Sequence, residues 1–226
     1  MDIFSDLLIH SANIPQHTVI MILSFPIIST IIAIFRYFMG LKSFGLYPQL
    51  MIIYTLYTFS IIQSSNELDF LRGLKIELLF LAASIISISI SKKLLDSLNF
   101  HVVPRKNLLL TIGMISVIAI LFLANLSDKK GVLEVSFLGI FGILTVSEKY
   151  LNFSMKKGTR NAFKHMIYTL VPCIFIGFII TSSQFESFLL QNSWIVIIAI
   201  LSNLLIAGYG GIRLSEIFRF KNINQN

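Results

Sequence analysis

The residues of this chain that could do chemistry are few, and their placement limits what chemistry it is. Arg36 and Arg213 each stand beside glycines at the expected end of an apolar stretch, where a guanidinium and nearby backbone N–H groups could together hold a carboxylate. Glu148-Lys149-Tyr150 sets a carboxylate beside a cation and a phenol, with Arg160 further along. Glu77 has Lys75 and Arg72 within reach, which predicts an ion pair at the membrane interface, and Glu134 has the same mild setting. No His-Glu-x-x-His, Gly-x-Ser-x-Gly or Gly-x-x-x-x-Gly-Lys is present. His10, His17, His101 and His165 are scattered, and Cys173 is the only cysteine, read as a small buried residue. This excludes an intrachain disulfide and leaves neither a metal site nor a cofactor site expected.

The elements that must carry these groups are membrane helices. The chain is 55% hydrophobic and only 13% charged, with a mean hydropathy of +0.82, where soluble domains carry about 25% charged residues. A pI near 9.6 raises nucleic acid as a partner. In a membrane chain, however, basic residues act as topology signals, so no nucleic-acid binding is expected. The amino terminus carries Asp2 and Asp6 and no cation before Arg36, the reverse of a cleaved secretory signal.

Apolar runs predict spans over residues 18–39, 73–90, 107–125, 163–181 and 194–210, with two short or interrupted ones over 47–63 and 132–151. Charge fixes their number. With seven spans and the N-terminus outside, the inner side receives Arg36, Lys42, Lys92, Lys93, Arg105 and Lys106. It also receives Lys149, Lys156, Lys157, Arg160, Lys164, Arg213, Arg219 and Lys221. Only Arg72, Lys75, Lys129 and Lys130 stay outside, and dropping either weak span breaks this positive-inside alternation. The expected architecture is therefore an all-α bundle of seven transmembrane helices: an external segment 1–17, a membrane domain 18–212 and a cytoplasmic tail 213–226.

Within the spans, Pro26 and Pro172 predict kinks. The small residues of "LAASIISISIS" predict close helix packing. Trp194, Tyr150, Tyr168 and Tyr209 are placed as interfacial anchors. A loose echo links Leu41–Leu46, which contains Phe44-Gly45, to Leu138–Ile143, which contains Phe141-Gly142; as an inverted repeat it would suit a secondary transporter.

Two stretches carry more than composition. "RYFMGLKSFGLYPQL" holds Arg36, Gly40, Phe44, Gly45 and Pro48, and "GYGGIRLSEIFRFK" holds Tyr209, Arg213 and Glu216. With Glu148-Lys149-Tyr150 and Gly158-x-Arg160-x-Ala162 between them, they resemble the bacterial seven-helix membrane domain usually fused to an inactive transglutaminase-like domain. The resemblance runs from the first span to the tail. This chain departs from it at Gly208, where an arginine is expected, in a proline missing around 139–143, and in the short segment ahead of the first span.

More distantly, the chain is similar to the small membrane subunit of poly-gamma-glutamate capsule synthesis. The resemblance implies a non-enzymatic subunit of the bacterial cytoplasmic membrane, with a cytosolic ATP-grasp ligase and a separate external transglutaminase-like protein as partners in making or exporting a peptide-like polymer. The alternatives are a transporter or flippase, and a membrane enzyme using Glu148 and Arg160.

Overall fold

The computed structural model describes residues 15–37, 40, 43–61, 68–96, 101–126 and 137–208. Among them are eight helices: α1 (Gln16–Tyr37), α2 (Leu46–Ser60), α3 (Phe70–Leu95), α4 (Val102–Leu126), α5 (Phe137–Lys157), α6 (Thr159–Ile180), α7 (Ser183–Gln191) and α8 (Ile195–Gly208). Each expected span coincides with one helix, and α7 is additional. By length and apolarity α1, α3, α4 and α6 can each cross a bilayer, and α7 with α8 form a further, sharply bent pair.

The short α2 is the centre of the bundle. Most of it is buried, including the polar Gln49, Thr55 and Ser60, so it need not be uniformly apolar to avoid lipid. It lies antiparallel to α5, with Thr55 against Gly142 and Phe59 against Gly139, and a Cβ at either glycine would overlap those side chains. The two glycines that interrupt the apolar run of α5 are thus the floor of a close helix crossing. Gly73 of α3 meets Ser60 and the Leu56 carbonyl in the same way.

Hydrogen bonds set the remaining directions. Ser84 pairs with Ser147 (2.9 Å), Ser89 with the Tyr150 hydroxyl (2.9 Å), and Lys92 Nζ donates to the Ser154 carbonyl (2.7 Å), so α3 and α5 run parallel. Phe44 N donates to Thr169 Oγ1 and Cys173 Sγ to the Gln49 carbonyl, so α6 runs parallel to α2. Cys173 is fully buried, as expected. Tyr150 is not the interfacial anchor expected; it is buried at 1% exposure with Ser89 as partner. Trp194 and Tyr168 do lie exposed.

Through α6 the helices alternate as the charge pattern requires. Most of the described cations gather at one end: Arg36, Lys92, Lys93, Arg105 and Lys106, with Lys149, Lys156, Lys157, Arg160 and Lys164. Arg72 and Lys75 lie at the other end. The alternation changes at α8. Thr30 Oγ1 donates to the Ala199 carbonyl (3.1 Å) and Asn203 Nδ2 to the Pro26 carbonyl (3.4 Å), the register of antiparallel neighbours. A seventh alternating span would run parallel to α1. The cause is the break after Gln191, where Asn192 closes α7 on the Phe188 carbonyl and the next axis turns by 94°. The 14 described residues of α8 span about 21 Å.

The sequence echo does not correspond to a structural repeat. Gly45 caps the start of α2 at φ 116°, whereas Gly142 is inside α5 and buried against α2.

Candidate functional site

The stretch between α1 and α2 is pinned onto the basic end. Gly40 (φ 68°) and Gly45 (φ 116°) occupy backbone conformations that side-chain-bearing residues resist. They turn the chain so that Phe44 N donates to Thr169 Oγ1 (3.1 Å), while that hydroxyl donates to the His165 carbonyl (2.7 Å). The Phe44 ring meets Phe153 edge-on at 5.6 Å between centroids and stacks over His165 at 6.3 Å; Phe153 and His165 are 4.3 Å apart. Pro48 is buried in the first turn of α2, where its missing N–H leaves no helix bond unmade. The Arg36 guanidinium reaches over Gly45, with Nη1 4.0 Å from where a Cβ would stand.

This docking borders an open cavity of about 390 Å³ lined by Ser43, Phe44, Lys149, Asn152, Phe153 and Lys156. Lys157 lies over the Phe153 ring at 5.1 Å. Ser43 Oγ is shielded and has no hydrogen-bond partner among the described residues. Two ammonium groups, an amide and a hydroxyl around an aromatic wall are groups that can hydrogen-bond an anion such as a carboxylate or phosphate.

The structure thus joins the turn to the Glu148-Lys149-Tyr150 element, but through Lys149. Glu148 turns away: its carboxylate accepts from Lys106 Nζ (2.9 Å) and Asn152 Nδ2 (3.3 Å). Arg160 lines a different cavity, with Lys164. Glu148 and Arg160 therefore have different surroundings, one held by Lys106 and Asn152 and the other at a separate cavity. Tyr209, Arg213 and Glu216 lie outside the described residues, as does Glu134.

Two polar clusters were not expected. Glu77 is no interfacial ion pair. It is buried at 2% exposure, and its carboxyl oxygen lies 2.6 Å from Thr55 Oγ1 of α2. Helical spacing explains the difference: Gly73, Ile76, Glu77, Phe80 and Ser84 form the buried face of α3, while Lys75 is exposed on the other side. The signal was available in that spacing.

At the opposite end from the basic cluster, the Tyr57 hydroxyl donates to Glu186 (2.6 Å), and His17 Nδ1 lies 3.0 Å from the same oxygen. A phenol has one hydrogen, so with Glu186 taking it His17 carries its proton on Nδ1 and donates. Glu186 is held there by α7, whose start is capped by Ser182 accepting from Phe185 N (3.3 Å). No three His, Cys, Asp or Glu side chains converge on a metal-sized site among the described residues.

Comparison with curated proteins and with solved structures finds no match for this chain. One family does match, over residues 2–224, described as seven transmembrane helices usually fused to an inactive transglutaminase. The match covers the pinned turn, the α2–α5 crossing and the basic end together, and the chain belongs to that family of multi-pass membrane proteins.

Proposed function

We propose that this chain is a non-enzymatic membrane subunit of the bacterial cytoplasmic membrane, with its basic end cytoplasmic and residues 1–17 outside. Its lysine-lined cradle holds a carboxylate-bearing surface of a cytosolic partner. The observation that carries this is the cavity under Phe44, where Lys149, Lys156 and an unpartnered Ser43 hydroxyl converge while the neighbouring Glu148 is occupied by Lys106.

An ATP-grasp ligase that joins amino acids is the partner of choice at this end, and a transglutaminase-like protein at the other. The family's usual fusion supports the second; the anion-binding chemistry of the cradle supports the first. Peptide-like polymer or envelope synthesis is the process such an assembly serves.

The test is co-purification of the intact chain with the host's ATP-grasp ligase from membranes. Retention is expected, with loss of about tenfold in Lys149→Glu/Lys156→Glu, since each reversed charge faces a like-charged partner. A purified chain that moves a solute across liposomes unaided would sink the proposal.

Glu77 favours a second reading, a transporter, because a carboxyl group enclosed among membrane helices, with a hydroxyl as its partner among the described residues, is a recurrent mark of ion or proton pathways. Flux that disappears in Glu77→Gln would decide for it.

A further inference from the structure

A second cavity at the basic end, of about 490 Å³, opens sideways between α3 and α6, with Tyr150 of α5 behind it. One wall is Ile86, Ile90 and Phe163, each more than half exposed, so in a membrane these side chains meet hydrocarbon. Arg160 stands at the basic rim, with Lys164 one helical turn further along the same side of α6, level with Phe163. No carboxylate lines the cavity, and among the described residues none pairs with either cation. The α6 N-terminus, capped by Gly158 with no side-chain bond, leaves its first-turn N–H groups at the same rim. The Tyr150 and Ser89 hydroxyls at the back are hydrogen-bonded to each other (2.9 Å).

We infer that this groove is a binding site for one anionic glycerophospholipid. The phosphodiester sits between Arg160 and Lys164, and an acyl chain lies along Ile86, Ile90 and Phe163. A soluble anion would use the rim and leave the apolar wall unexplained; a neutral lipid would use the wall and leave two cations facing each other without a counter-ion. Only a ligand that is anionic at one end and apolar at the other matches both halves at the depth where the basic end meets hydrocarbon. The site is separate from the cradle under Phe44 and does not depend on what that cradle binds.

Brominated lipids test it. Trp194 is the chain's only tryptophan, so Trp194→Phe with Phe163→Trp places one fluorophore on the groove wall. In nanodiscs, brominated phosphatidylglycerol is expected to quench it at lower mole fraction than brominated phosphatidylcholine, with a preference of about fivefold per cation. Arg160→Gln/Lys164→Gln is expected to reduce the preference to unity, while Lys149→Gln/Lys156→Gln leaves it intact.

Should the tryptophan variant not fold, native mass spectrometry of the unlabelled chain takes its place, counting phosphatidylglycerol retained with and without Arg160→Gln/Lys164→Gln. Equal quenching by both lipids would overturn the inference, as would a preference that survives Arg160→Gln/Lys164→Gln or falls equally with the cradle lysines. Inorganic phosphate that abolishes the preference would show a site for free phosphate instead.

Discussion

The α2–α5 crossing and the basic end of the same helices are built on opposite terms. At the crossing, backbone packs against side chain through Gly139 and Gly142, and the neighbouring Glu77 carboxyl is enclosed with a threonine. At the basic end, a turn shaped by two left-handed glycines is laid over two lysines and leaves space beneath. Close packing holds a membrane bundle together, because lipid offers no hydrophobic drive between helices. Open, charged volume does not stabilise, so its presence points to a ligand.

The largest effect should come from filling the crossing. Gly142→Val puts branched carbon into the Thr55 side chain and should lower stability by about 3 kcal/mol. Gly208→Val, with open space around it, is the matched control and should change little. Thermal unfolding in detergent reads both, and equal melting temperatures would mean that the crossing is not the core.

Next comes the enclosed carboxyl. Glu77→Ala removes volume and a hydrogen bond from a buried site and should cost about 2 kcal/mol. Glu77→Gln keeps both shape and polarity and should cost less than half of that. Smaller again is the turn: Gly45→Ala must hold φ 116° with a Cβ present, a strain of about 1–2 kcal/mol. Because the turn roofs the cradle, the same variant should also loosen partner retention, which a purely local strain would leave alone.

How far the sequence foretold this differs between the two regions. The long helices α1, α3, α4 and α6 follow from apolar length alone. The short α2 and the glycine-interrupted α5 show only as weak apolar runs that charge alternation supports, because a helix shielded by its neighbours carries Gln49, Thr55 and Ser60 without penalty and so lacks a strong apolar signal. At Glu77 the helical face decides burial, not the cations adjacent in sequence. At Tyr150 ring chemistry alone does not tell a lipid interface from a helix interface. α7 had a readable start in Ser183-Gln-Phe-Glu186, a hydroxyl followed three residues on by glutamate, with the cap itself formed by Ser182. The antiparallel seating of α8 had no such signal, since it depends on a bend at Asn192–Trp194 and on bonds to distant residues of α1. At the basic end the pinned turn was legible as Arg36, Gly40, Phe44, Gly45 and Pro48, but its partners Thr169, Phe153 and His165 were not, because they come from helices remote in sequence.

The smallest stability effects are expected at the basic end. Glu148 and Lys106 are both partly exposed, so their ion pair contributes little, and Glu148→Gln should cost less than about 1 kcal/mol. Lys149→Gln/Lys156→Gln should leave the melting temperature unchanged, since both side chains are exposed and Lys149 and Lys156 make no ion pair among the described residues. Removing like charges that line one cavity even relieves a mild repulsion. The contrast with Gly142→Val is then complete in one measurement: a variant that melts like the parent yet no longer retains its cytosolic partner assigns the basic end to recognition. A variant that melts several degrees lower would instead make the lysines part of the scaffold, and the division between a tight crossing and an open receptor would fail.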